Sequence, residues 1–257
     1  MLSPIVVVKV GGAAVTDKAS AEPRLDGDGF ADAIKALCAA HTTTSLVVVV
    51  GAGSFGHGMA KAVGFSSGAS VPSSQSKLLA AVGVRQQVMA LAGMVAAALA
   101  ERGVPAFHFT PLSLDGAKEP LLALLQARAV PLLHGDMIVD GSGGLRVLSG
   151  DVVAARLAEQ LEAARLVFVS RHALHTRDPA LHGEDAQLVR EIRRSAGEYN
   201  VAAVGCENND VSGAMRGKLQ QVLAVRGVHV VIAPVARVLE AIAGPLPVAH
   251  CTTVWKV

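Results

Sequence analysis

Five short runs of β-branched and aliphatic residues punctuate the chain: Ile5–Val10, Leu46–Val50, Val130–Leu133, Leu166–Ser170 and Val228–Ala233. Nearly all their positions are apolar, without the alternation of a strand wetted on one face. Such runs predict strands covered on both sides, in a mostly parallel α/β sheet. The first three end in Gly11-Gly12, Gly51-Ala52-Gly53 and His134-Gly135-Asp136. Apolar residues recur at helical spacing over 28–40, 76–102, 151–164 and 212–226, which predicts helices there. Met137–Val139 and Leu145–Leu148, joined by Asp140-Gly141-Ser142-Gly143-Gly144, read as a hairpin. The serine-rich stretch 64–76 reads as a mobile connector or as a surface loop near a site. There is no internal repeat and no interdomain linker, so residues 1–257 are expected to form one domain.

Composition narrows the function classes. With 51% hydrophobic and 17% charged residues the chain is far too apolar for disorder, and at 3% aromatic its core must be built from Ala, Val and Leu. The net charge of +2 gives no electrostatic reason to expect a nucleic-acid partner. Cys38, Cys206 and Cys251 lie far apart, which argues against a disulfide framework or a structural zinc site and suits a reducing compartment. The longest apolar run, Val88–Ala100, stops at Glu101-Arg102, short of a bilayer span. The N-terminal segment lacks a basic region, and Lys9 interrupts its apolar run. A cytoplasmic enzyme without membrane association is the expectation.

The glycine turns carry the candidate chemistry. Lys9-Val10-Gly11-Gly12 can bring backbone N–H groups and a cation to an anion, or can simply be a tight turn. Gly51-Ala52-Gly53-Ser54-Phe55-Gly56 matches G-x-G-x-x-G, but a dinucleotide site wants an acid about 20 positions later, and residues 58–100 contain no Asp or Glu. A phosphate held by the loop amides fits better, with His57 as a further donor. Ser149-Gly150-Asp151 has the pattern of a helix cap. Asp210-Val211-Ser212-Gly213-Ala214-Met215-Arg216-Gly217-Lys218 suits either a capped helix start or a second anion site containing Lys218. All four lie where strands end or helices start, the ligand-binding edge of an open α/β sheet.

In this order, K-x-G-G, G-A-G-S-F-G-H, H-G-D, S-G-D, T-R-D-P and D-V-S-G-A-M-R-G-K resemble the amino-acid kinase superfamily from Lys9 to Lys218. The histidine closing G-A-G-S-F-G-H makes the chain similar to the isopentenyl phosphate kinases. That resemblance implies a three-layer α/β/α sandwich around an open, mostly parallel sheet. It also implies an acceptor-binding half of about 1–165, a nucleotide-binding half of about 166–257, and a homodimer. By the same resemblance, Lys9, Gly11 and Gly12 would contact the transferred phosphoryl group, and Lys18 would be a second cation. Ala52, Gly53, His57 and Gly150 would hold the acceptor phosphate, and Asp151 would orient the lysines. Thr176, Asp178 and Gly213 would border the nucleotide, with Lys218 over its terminal phosphates. The chain departs from the family pattern at Ala13 (usually Ser), Val152 (usually Asp) and Ala214 (usually Gly). Around Ser170–His175 the usual acid and glycine are gone.

The implied reaction is in-line phosphoryl transfer from ATP, with Mg²⁺, to isopentenyl phosphate. A phosphate monoester is already largely dianionic near neutrality, so no general base is required. Val84, Val88 and Leu91 share one face of the helix over 76–102; they are candidates for an apolar tail pocket or, more simply, core. A sibling kinase acting on a phosphonate or a carboxylate, and an inactive nucleotide-sensing module, stay open at this level.

Overall fold

The computed structural model describes residues 2–17, 20, 22–65, 70–110, 114, 116–177, 179–193 and 213–256, without the side chains of residues 180 and 213–218. In chain order, β1 (Ile5–Val10) is followed by α1 (Gly12–Val15) and α2 (Gly27–His41), and β2 (Ser45–Val50) by α3 (His57–Ala62) and α4 (Gln75–Ala100). Next come β3 (Ala106–His108), α5 (Lys118–Gln126), β4 (Val130–His134), the hairpin β5 (Asp136–Val139) and β6 (Leu145–Leu148), and α6 (Gly150–Gln160). The remainder comprises β7 (Arg165–Ser170), α7 (Pro179–His182), β8 (Glu191–Ile192), α8 (Gly213–Ala224), β9 (His229–Pro234), α9 (Val238–Ala243) and β10 (Thr252–Val254).

Eight strands form one sheet in the order β3-β4-β2-β1-β7-β9-β10-β8. It is parallel from β3 to β9; β10 runs antiparallel to β9 and carries β8 at the edge. Successive strands build outward from β1 in opposite directions, so β1 is the topological switch point and its C-terminal end faces a crevice. Residues of β1 alternate between two cores. Val6, Val8 and Val10 pack with side chains of α2, α4 and α9, while Val7 packs with those of α5, α6 and α8. This is the three-layer sandwich that the continuous apolar strands require. A smaller cluster of Ala60, Phe65, Ala81, Val84, Met137 and Leu145 joins α3, α4 and the hairpin.

Asp26, Ser74 and Ser149 cap α2, α4 and α6, each side chain accepting a backbone N–H at 3.3 Å. All five expected strands and all four expected helices fall within a few residues of their predicted limits. The short elements β3, β8, β10, α3 and α9 lack enough sequence to show a period. Of the stretch 64–76, residues 66–69 lie outside the described residues. Its later part is anchored, because Val71 exchanges both backbone hydrogen bonds with Leu145 at 2.8 and 2.9 Å. By length and composition alone, helix α4, at 26 residues, could cross a membrane, but such a helix is also what a protein core contains. In this fold its Val84, Val88, Leu91, Val95 and Leu99 are buried.

Leu91 is completely buried between α4 and the sheet. Leu91→Ala is expected to lower unfolding free energy by about 2–5 kcal/mol, through lost burial plus a residual cavity. Urea denaturation followed by circular dichroism checks this; a loss below about 1 kcal/mol would mean the layers close over the gap.

Candidate active site

Lys9 sits at the penultimate position of the central strand, in register with Val49 of β2 and Phe168 of β7. By strand alternation it shares the face of Val7, toward α6. There its Nζ meets Asp151 Oδ1 at 2.6 Å, the two side chains being 10% and 19% exposed. Asp151 lies in the first turn of α6, where the helix dipole favours a carboxylate. The ammonium runs past two glycines: a Cβ on Gly51 would lie 3.1 Å from Lys9 Nζ, and one on Gly150 3.6 Å from Cε. The sequence named Gly150 as a phosphate contact; its position also makes room for the lysine.

The turns after β1 and β2 interlock. A Cβ on Gly12 would overlap the backbone of Gly53, and Gly53 itself has φ +52°, in the left-handed region where glycine is least strained. Thr16 Oγ1 donates to Gly12 O at 2.7 Å and accepts from Ser54 N–H at 3.0 Å. Ser54 Oγ donates in turn to Arg24 O at 3.1 Å. Gly11 N–H donates to Val169 O at 2.9 Å, which joins the same turn to β7. Sequence reasoning treated Gly11-Gly12 and Gly51–Gly53 separately and missed Thr16, an isolated hydroxyl with no motif around it.

Ala52 is half-buried, and the exposed His57 opens α3 at the end of this loop. A Cβ on Gly56 would lie 2.7 Å from Val88 Cγ2, so glycine there allows α4 to pack close beside His57. Val88 and Val84 are both buried, Val84 in the cluster with Phe65 and Met137.

Beyond β4 the structure assembles a polar cluster that the sequence marked only as a strand-end turn. Gly135 N–H donates to Val50 O at 3.2 Å. Asp136, its carboxylate fully buried, pairs with Arg85 of α4 at 2.9 Å and accepts Met137 N–H at 2.8 Å. His134 is fully buried, its ring centroid 4.9 Å from that of His108. Its Nδ1 lies 2.6 Å from Gly135 O. A carbonyl only accepts, so the proton is on Nδ1, and Nε2 keeps a lone pair with no partner among the described residues. Burial pushes the imidazole pKa of His134 down, and it pushes the Asp136 carboxyl up against the opposing effect of Arg85.

On the other side of β1, Leu174 N–H donates to Thr252 Oγ1 at 3.0 Å, and Thr176 N–H to Gln187 O at 2.9 Å. Thr176 Oγ1 accepts from Gln187 N–H at 3.1 Å, so the hydroxyl is part of a local turn. Ala173 is buried, which suits a small side chain where the family pattern has glycine. Gly213 opens α8 and Lys218 follows within it, its side chain outside the description. Lys18 and Asp178 lie outside the described residues.

The fold and this clustering of lysine and glycine turns at one sheet edge agree with the comparisons. The model of the amino acid kinase family matches residues 4–233. The chain is 34% identical over 234 residues to an isopentenyl phosphate kinase of Haloferax volcanii, covering 86% of this chain and 88% of the relative. It belongs to the amino acid kinase family, on the isopentenyl phosphate kinase branch. A second isopentenyl phosphate kinase, from Methanothermobacter thermautotrophicus, is 28% identical over 88% of this chain and 89% of its own. A solved isopentenyl phosphate kinase superposes with a TM-score of 0.78 at 24% identity, over 96% of this chain and 99% of that one. The kinase therefore has the family's fold.

Because burial lowers the His134 pKa, the folded kinase prefers the neutral ring while the unfolded chain protonates near pH 6.5. That contribution is present above about pH 6.5 and is lost as pH falls below it. Melting temperature is expected to drop between pH 7.5 and pH 5, and His134→Asn to flatten the drop. Comparing the two proteins cancels the opposite contribution of Asp136. Parallel profiles would show that the fold does not disfavour the protonated ring of His134.

Proposed function

We propose that this kinase transfers the terminal phosphoryl group of ATP in line to isopentenyl phosphate, giving the diphosphate. The observation that carries the reading is Lys9, held by Asp151 between Gly51 and Gly150 where the two glycine turns interlock. An acceptor whose second pKa is about 6 is already a nucleophile at neutral pH. The protein's work is then to bring two polyanions together and stabilise charge on the transferring group. Lys9 supplies that charge with Gly11 and Gly12. The amides of Ala52 and Gly53, with His57 and Gly150, take the acceptor phosphate. Lys18 and Lys218 are assigned to the donor phosphates, and Gly213, Thr176 and Asp178 to the nucleotide border. Val84 and Val88 back the wall along which the hydrocarbon tail would lie.

In this reading residues up to about 165 form the acceptor half and those from about 166 the nucleotide half. Among the described residues no group of three His, Cys, Asp or Glu could hold a metal, and Asp151 is engaged by Lys9. Mg²⁺ would thus ride on the nucleotide phosphates, where it neutralises charge. A homodimer also belongs to the proposal. It is supported by the outward face of α4, which exposes Leu79 (67%), Val82 and Met94 beside edge strand β3 with Phe107 (54%). The free thiols of Cys38 and Cys251 suit a cytoplasmic setting.

The test is ATP turnover against isopentenyl phosphate, dimethylallyl phosphate, fosfomycin and N-acetylglutamate. Isopentenyl phosphate is expected to give the highest kcat/KM; preference for the phosphonate or the carboxylate would overturn the acceptor assignment. His57→Ala should lower kcat/KM for isopentenyl phosphate by about 10- to 100-fold, the worth of one hydrogen bond to a charged oxygen. KM for ATP should barely move, and His57→Gln should recover part of the loss. Lys218→Ala should keep the fold and lower kcat by about two orders of magnitude. A variant with unchanged kcat and unchanged KM for ATP would remove Lys218 from the mechanism.

A further inference from the structure

We propose that Arg171 binds the phosphates of the donor nucleotide and ties their binding to the Gly11-Gly12 turn. This rests on the kinase reading above but not on the identity of the acceptor. Strand β7 runs parallel beside β1, with Val169 opposite Val10, so the chain leaves β7 at the same edge as the first glycine turn. Arg171 crosses back over that edge: its Nε donates to Ala13 O at 2.8 Å, one residue past Gly12. The guanidinium is thereby fixed above the turn while the residue stays exposed.

Its charge is uncommitted. Lys9 is paired with Asp151, whereas Arg171 forms no ion pair among the described residues, and Nη1 and Nη2 have no partner there. A half-buried structural arginine looks different in this same protein. Arg165, at the other end of β7, spends Nη1 on Ala241 O at 2.6 Å and Nη2 on Gly244 O at 3.1 Å. With Nε engaged, Arg171 presents its two terminal nitrogens as a planar fork, the geometry that recognises phosphate oxygens in pairs.

The position selects the donor over the acceptor. His57 follows β2 on one side of β1, and Arg171 follows β7 on the other, in the nucleotide half. Ser170 beside it is neutral where the family pattern has an acid, so no adjacent carboxylate competes for the guanidinium. Arginine here compensates for the departure at Ser170–His175 by shifting donor affinity from the nucleoside to the phosphates.

Calorimetric binding of ATP, ADP, AMP and adenosine to the full chain, without acceptor, tests this on Arg171→Gln and Arg171→Lys. Glutamine keeps a donor for Ala13 O and removes the charge. It is expected to weaken ATP and ADP by about 10- to 100-fold, to leave adenosine unchanged, and to leave KM for isopentenyl phosphate within about twofold. Lysine should recover part of the affinity for ATP. Equal weakening of adenosine and ATP, unchanged ATP affinity, or a shift confined to the acceptor's KM would each overturn the assignment. Failure of the unsubstituted protein to bind ATP at all would instead bring down the kinase reading beneath it.

Discussion

A charged lysine in the middle strand of a parallel sheet is the constraint around which the rest of the site is arranged. Lys9 lies among valines that are almost wholly removed from water, where an unpaired ammonium would cost several kcal/mol. Asp151 meets that demand. It does so from the first turn of α6, whose dipole and serine cap hold a carboxylate at that point. The lysine reaches it only because Gly51 and Gly150 leave its path clear. Strand, helix start and both glycines are thus consequences of placing one cation at the sheet edge.

The same economy of space governs the turns. Phosphoryl transfer asks a protein for position and charge more than for covalent chemistry, and position here comes from backbone contact. Gly12 and Gly53 touch, Thr16 bonds to both turns, and Gly11 is bonded to β7, so loops from three strands are tied together. The buried Arg85–Asp136 pair extends this frame to α4 and the hairpin. Removing either partner would strand a charge in the interior, which makes the pair costly to break even if it contributes little net stability. The turns on both sides of β1 therefore share one edge, with His57 following β2 and Arg171 following β7; in the proposed reaction these are the acceptor and donor sides.

Much of this was legible in the residues. Continuous apolar strands specify burial on both faces and hence layered helices, because nothing else covers both sides of a parallel sheet. The turns announced themselves because glycine is what a close backbone approach requires, and their order carried the family resemblance. Local signals sufficed for these features, since each depends on residues adjacent in the chain.

What the sequence by itself determined, then, was the layering, the turns and the candidate cations Lys9 and Lys218. Tertiary structure alone decided which groups meet: Lys9 with Asp151, Arg85 with Asp136, Thr16 with Ser54, Arg171 with Ala13. These partners are separated by 38 to 158 positions, and no local period or motif encodes such a pairing. It arises when strands from distant parts of the chain are brought edge to edge, and a polar side chain left at that edge must find whatever partner the packing supplies.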